Sequence, residues 1–185
     1  MKKIQISKEK TVLVDNEDYK ELMTKTWYAQ EGNKTWYAYV TLIIDNKPKS
    51  IAMHRCIMDL ELNDPRQVDH INGNGLDNRK INLRLATNQQ NCFNVAPKHK
   101  DKTSIFKGVY KTKSGKYEAQ IKLNYKSNSL GRYNTPEEAA KVYDSVAMFY
   151  VGEFAYTNTE KNTIIPQSIE EVKATLRQRL IKEGY

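Results

Sequence analysis

The sequence predicts an α+β protein built in two successive parts. Three observations carry this. Short apolar or β-branched runs alternate with turn residues through the first half, residues 116–123 alternate with period two, and a capped amphipathic helix follows them. Residues 1–96 form the first part, β-rich at its start and closing on two short strands around a glycine-containing loop and a helix. A charged linker over 97–103 leads to a three-stranded antiparallel sheet with one helix over 104–158. Residues 159–185 are a tail that ends in a further helix.

Each element has a local cause. Thr11-Val12-Leu13-Val14 has the β-branched character of a strand. Asp15-Asn16-Glu17-Asp18 forms a turn in which Asp18 or a neighbour caps a short helix through Leu22-Met23. Residues 36–44 are aromatic and β-branched, Asp45-Asn46-Lys47-Pro48 is the turn that follows, and Ser50-Ile51-Ala52-Met53 is the return strand. His54-Arg55-Cys56-Ile57-Met58 begins a short helix. Val68-Asp69-His70 closes an apolar run, Gly73 and Gly75 permit a tight loop, Asn82-Leu83-Arg84-Leu85 is a second run, and Asn91 lies a few residues into a helical segment. Pro97 opens the linker.

In the second part, a strand around Gly108-Val109-Tyr110-Lys111 turns at Lys113-Ser114-Gly115-Lys116. The next strand puts Tyr117, Ala119, Ile121 and Leu123 on one face and Lys116, Glu118, Gln120 and Lys122 on the other. A third strand ends near Leu130-Gly131-Arg132-Tyr133. Thr135 is a good N-cap, Pro136 suits the first helical position, and Glu138 completes a capping box. Ala139, Val142, Tyr143, Val146, Ala147 and Tyr150 recur at helical spacing up to Gly152, a natural stop. Tyr117, Tyr143 and Tyr150 fall on the apolar faces and are expected in the core. Ser168-Ile169-Glu170-Glu171 starts the last helix, which runs to about Lys182.

Composition narrows the function classes. Apolar residues are 39% of the chain and the mean hydropathy is −0.76. No apolar run approaches the roughly 18–20 residues of a membrane span, and the N-terminus lacks a signal-peptide core. No membrane partner is expected. Cys56 and Cys92 stand far apart without a Cys-x-x-Cys partner, which argues against a disulfide framework and a structural zinc and for a reducing cytoplasm. The net charge is +8, and residues 98–132 alone hold ten Lys/Arg against Asp101 and Glu118, equal to the whole excess. Such a segment with interleaved tyrosines suits a polyanion partner, with a solvated basic surface as the alternative.

The Asp69-His70 pair with Asn82 and Asn91 suits phosphodiester hydrolysis. That reaction needs an activated water, neutralisation of the charge that builds on the phosphate, and help for the departing oxygen. One hard divalent cation serves the last two with a few oxygen ligands, and the Asp69 carboxylate and Asn91 amide oxygen are such ligands. His70 is the candidate base, because a neutral imidazole takes a proton from water at neutral pH. Neighbours on a strand point to opposite sides, which separates the two roles. Asn82 is placed to pin the loop through side-chain-to-backbone hydrogen bonds. Taken alone, an Asp-His pair is also common in ordinary surface turns.

The run Val68-Asp69-His70-Ile71-Asn72-Gly73-Asn74, with Asn78-Arg79-Lys80-Ile81-Asn82-Leu83-Arg84 and Thr87-Asn88-Gln89-Gln90-Asn91, resembles the HNH nucleases, most of all the phage and intron-encoded homing branch. The resemblance covers about residues 54–94. It implies a ββα-metal fold, His70 as general base, Asp69 as a metal ligand and Asn82 as the middle, structural asparagine. Asn91 then stands where most members carry a histidine, as second ligand. One divalent ion is implied, Mg2+ before Mn2+. His54-Arg55 matches an upstream His-Arg pair of the family, and Arg55 is read either as a phosphate contact or as a helix anchor.

Ser104-Ile105-Phe106-Lys107-Gly108-Val109-Tyr110, Gly115-Lys116-Tyr117-Glu118-Ala119-Gln120-Ile121, Leu130-Gly131-Arg132-Tyr133 and residues 135–144 resemble the apetala/ethylene-response-factor (AP-two) DNA-binding domain. That family lays its sheet in the major groove, which implies duplex DNA as partner. By position, Lys107, Tyr110, Thr112, Gln120, Lys122 and Arg132 are the contact candidates, with Gln120 able to read adenine and the lysines gripping phosphates. Together the two resemblances imply a homing-type DNA endonuclease in the host cytoplasm if phage-encoded. A monomer would nick, and a double-strand break would need a homodimer. The alternative is a sequence-specific DNA-binding regulator with an inactive HNH unit.

Overall fold

The computed structural model describes residues 1–96, 104–123 and 126–158. The expected linker and the C-terminal tail with its helix lie outside the described residues. The chain divides into two compact units, Met1–Asn91 and Cys92–Tyr185. Among the described residues it is a mixed structure of short helices and four small sheets whose strand pairs are all antiparallel. None of those helices is long and apolar enough to cross a membrane.

The first unit opens with an antiparallel hairpin of β1 (Lys2–Gln5) and β2 (Thr11–Val14), which buries Ile4, Val12 and Val14. Helix α1 (Asn16–Leu22) follows with Asp15 as N-cap residue, but the Asp15 side chain makes no cap. Its Oδ2 accepts instead from the Lys80 backbone N–H at 2.8 Å. Strands β3 (Tyr28–Glu31), β4 (Trp36–Ile44) and β5 (Lys47–Ala52) form an antiparallel sheet in that order. The turn before β5 is tighter than the sequence predicts. Asp45 and Asn46 both take positive φ, 53° and 58°, the pairing of a two-residue hairpin turn. Lys47 and Pro48 therefore already belong to β5, and proline is tolerated there because β5 is an edge strand. Ile4, Ile6, Leu22, Trp27, Ala38, Val40 and Met53 join Val12 and Val14 in one core.

After helix α2 (Met53–Ile57), strands β6 (Gln67–His70) and β7 (Leu83–Ala86) pair antiparallel with Asp69 opposite Arg84 and His70 opposite Leu83. Asn82 sits in a short 3-10 turn just ahead of β7 rather than in the strand. Helix α3 (Asn88–Phe93) starts at Thr87, whose Oγ1 accepts from Gln90 N–H while Gln90 Oε1 accepts from Thr87 N–H. The long β6–β7 loop is tethered to β2. Leu13 N–H donates to the Leu76 carbonyl at 2.9 Å, and Asn78 N–H donates to the Leu13 carbonyl at 2.8 Å.

In the second unit, β8 (Val109–Lys111), β9 (Tyr117–Leu123) and β10 (Lys126–Tyr133) form an antiparallel sheet with β9 central. Helix α4 (Pro136–Val151) packs on it, capped by Thr135 and Glu138. Val109, Ala119, Ile121, Leu130, Ala139, Val142, Tyr143 and Val146 form the core, joined by Phe93. The fully buried Asp144 carboxylate accepts from the Asn158 backbone N–H and Nδ2, and Asn158 Oδ1 accepts from Lys107 N–H. Tyr150 departs from expectation. Tyr143 is buried and Tyr117 half-buried, but Tyr150 is 52% exposed. In the last turn of α4, Val151 still packs against the core while Met148, Phe149 and Tyr150 are exposed.

Candidate active site

Strand β6 sorts its side chains onto two faces, and each face meets different chemistry. His70 and Asp69 are both buried, at 6% and 4% exposure. The His70 ring lies against His54 (ring centres 5.1 Å apart, nearly perpendicular) and Tyr37 (5.8 Å), while Tyr37 and His54 are also 5.8 Å apart. His70 Nε2 pairs with Asn78 Oδ1 at 3.2 Å. Burial pushes the His70 imidazole below its ordinary pKa, while Asn78 and the carboxylates of Asp69 and Asp77 act in the opposite direction. His54 is pushed down to about 3 by burial, then by His70 and Arg55. The cluster is therefore uncharged at neutral pH.

Asp69 faces β7, where Arg84 Nε and Nη2 both approach its Oδ2 at 2.8 Å. Gln67 lies two residues earlier, on the same face of β6, and its Oε1 accepts from Asn91 Nδ2 at 2.7 Å. The Asp69 carboxylate and the Asn91 carbonyl are hard oxygen donors, the chemistry a divalent cation of the Mg2+ or Mn2+ class requires. One carboxylate and one amide make a sparse set, which suits a cation that keeps positions for water and phosphate.

The loop from Ile71 to Asn82 is a polar network. Asn82 Oδ1 accepts from Asn72 N–H at 2.9 Å, and Asn82 Nδ2 donates to Asn72 Oδ1 and to the Asp77 carbonyl. Asp77 pairs with Arg79 at 2.6 Å and accepts from Asn72 Nδ2. The two glycines serve different needs. Gly73 takes φ 72°, a conformation that favours glycine, whereas a Cβ on Gly75 would lie 2.5 Å from the Trp36 carbonyl oxygen.

Of the other residues singled out in the sequence, Arg55 anchors the 61–66 loop, donating to the carbonyls of Arg66, Glu61 and Asp64. Tyr110, Gln120, Lys122 and Arg132 share the outer face of the second unit's sheet, where Tyr110 and Arg132 flank Glu118 and Gln120 lies opposite Ser129. Lys107 does not join them. Its Nζ donates to the Phe93 carbonyl and lies over the Phe93 and Tyr156 rings. Thr112 Oγ1 closes the β8–β9 turn by donating to the Lys116 carbonyl. Asn78, Arg84 and Tyr37 went unassigned in the sequence. Only the density of Asn and Asp between residues 69 and 82 hinted at a buried network there.

Residues 53–92 match a family model described as HNH endonuclease. Over 91 residues the chain is 42% identical to an uncharacterised HNH endonuclease of Acanthamoeba polyphaga mimivirus, covering 49% of this chain and 46% of that protein. The chain thus spans less than half the length of this curated relative.

The depressed His54 pKa ties stability to pH. Unfolded, His54 takes up a proton below about pH 6.5, whereas folded it does so only near 3. Between these values the unfolded state binds the extra proton, so stability falls as pH falls through that window. From pH 6.5 to 5, denaturant melts of His54→Gln should lose roughly 1.5 kcal/mol less than wild type. Equal losses in the two proteins would contradict the neutral His54 imidazole.

Proposed function

We propose that this protein is a divalent-metal-dependent endonuclease of the homing type that hydrolyses phosphodiesters of duplex DNA. The observation that carries this is the strand β6, which holds the buried, uncharged His70 on one face and Asp69 on the other, the face of Gln67, whose side chain holds Asn91, inside the segment that matches the HNH endonucleases. His70 accepts the proton of the attacking water. Asp69 and Asn91 would hold the cation, which when bound neutralises charge on the phosphate and the departing oxygen. Asn82 keeps the loop beside His70 in one conformation through its three hydrogen bonds.

The second unit reads as the DNA-gripping part, in the manner of the AP-two domains it resembles. Its outer sheet face presents Tyr110, Gln120, Lys122 and Arg132, cations for phosphates and an amide for a base edge. Arg55, Lys107 and Thr112 are not part of this proposal, since each has a structural job in its own unit.

Supercoiled plasmid with Mg2+ or Mn2+ tests the reading. Wild type should cut, and His70→Ala should cut about 10²–10⁴-fold more slowly. Undiminished cutting by the variant would overturn the base assignment. For duplex binding in EDTA, Lys122→Ala and Arg132→Ala should each lower the slope of log affinity against log salt by about one. Unchanged slopes would remove the sheet face from the proposal.

The Asp69–Arg84 pair favours a second reading, a DNA-binding regulator whose nuclease unit is inactive because its carboxylate is already neutralised. The two readings separate on Arg84→Met. That change strips the buried carboxylate of its counter-ion and should cost on the order of 3 kcal/mol. If Asp69 is a ligand, millimolar Mn2+ restores much of the loss in thermal melts. No rescue by any divalent ion would favour the regulator.

A further inference from the structure

We propose that Asn78 is the positioning residue for His70: its side-chain carbonyl holds the proton on Nε2 and so makes Nδ1 the basic nitrogen. The inference rests on the endonuclease reading, which names His70 as the base, but concerns another residue and a separate observable.

The polarity follows from hydrogen-bond chemistry. Asn78 Nδ2 donates to the Gly75 carbonyl at 3.3 Å. A carbonyl only accepts, so the amide nitrogen must lie on that side and Oδ1 must face the ring. Oδ1 lies 3.2 Å from His70 Nε2. Oδ1 also only accepts, so Nε2 carries the hydrogen. In a neutral imidazole the lone pair then resides on Nδ1.

Asn78 has the rigidity for this task. It is 0% exposed, its backbone N–H is held by the Leu13 carbonyl at 2.8 Å, and its amide is held by the loop. The acceptor is therefore fixed by β2 and by the loop together, independently of any ligand. An acceptor on one ring nitrogen orients the ring and raises the basicity of the other. Asn82, by contrast, acts only on loop atoms, and Tyr37 and His54 touch the ring by its edges and faces.

The test uses the full chain labelled with 15N-histidine, metal-free at pH 8. Long-range proton–nitrogen correlation of the imidazole should show His70 as the Nε2–H tautomer. Asn78→Ala should mix the tautomers and lower kcat about 10–100-fold, with KM changed much less. Asn78→Asp keeps an acceptor, so it should retain the Nε2–H tautomer and recover most of kcat. Should Asn78→Ala fail to fold, the wild-type and Asn78→Asp spectra decide the matter. An Nδ1–H tautomer in wild type overturns the proposal and leaves the endonuclease reading standing. Undiminished cutting by His70→Ala overturns that reading instead, whichever tautomer is seen.

Discussion

The β6–β7 loop carries polar side chains into a region that water does not reach, and this constraint governs the first unit. Asp77, Asn78 and Asn82 are each 6% exposed or less. A buried amide without partners costs about 1–3 kcal/mol, a large fraction of the roughly 5–15 kcal/mol that holds a small domain folded. The loop is affordable only as a fully connected set. Asn82 uses both ends of its amide, Asn72 uses backbone and side chain, and Asp77 is held by Arg79 and Asn72. Low dielectric strengthens such bonds as long as none is missing.

The β-rich lead-in has its place in this scheme. Leu13 in β2 exchanges two hydrogen bonds with the loop, Asp15 accepts from Lys80, and Thr35 Oγ1 accepts from Gly75 N–H. The anchors come from β2, from the residue just after it, and from Thr35 just ahead of β4. They tie the loop to elements that have their own apolar core. The outcome is that His70 and Asp69, adjacent in sequence, are held apart by the pleat of one strand. One meets an uncharged aromatic cluster and Asn78, the other meets Arg84 on the face that also carries Gln67. Separate surroundings give two neighbouring residues separate chemistry.

How much of this was legible in the sequence depended on how local each cause is. The α4 start is written in Thr135, Pro136 and Glu138, and the β9 faces in strict alternation, so both elements form where expected. Strand β4 is equally plain from its aromatic and β-branched run. Strands β1 and β3 are four polar-rich residues each, stabilised by partners rather than by their own composition. Asn78 reads as a turn former, because burial is a tertiary property that an asparagine does not announce. Lys107 sits in a basic run, yet its ammonium is captured by the Phe93 carbonyl. Charge patterning cannot separate a lysine that caps a neighbouring helix end from one that meets solvent.

The central claim is that the loop beside His70 is pre-organised by its own hydrogen bonds before any cation or DNA arrives. Native-state hydrogen exchange on the ligand-free protein measures this directly. The Asn72 N–H, held by Asn82 Oδ1, and the Asn78 N–H, held by Leu13, should be protected as strongly as the paired amides of β6 and β7. Exchange of these two amides at the rate of an open loop, with β6 and β7 protected, would contradict it.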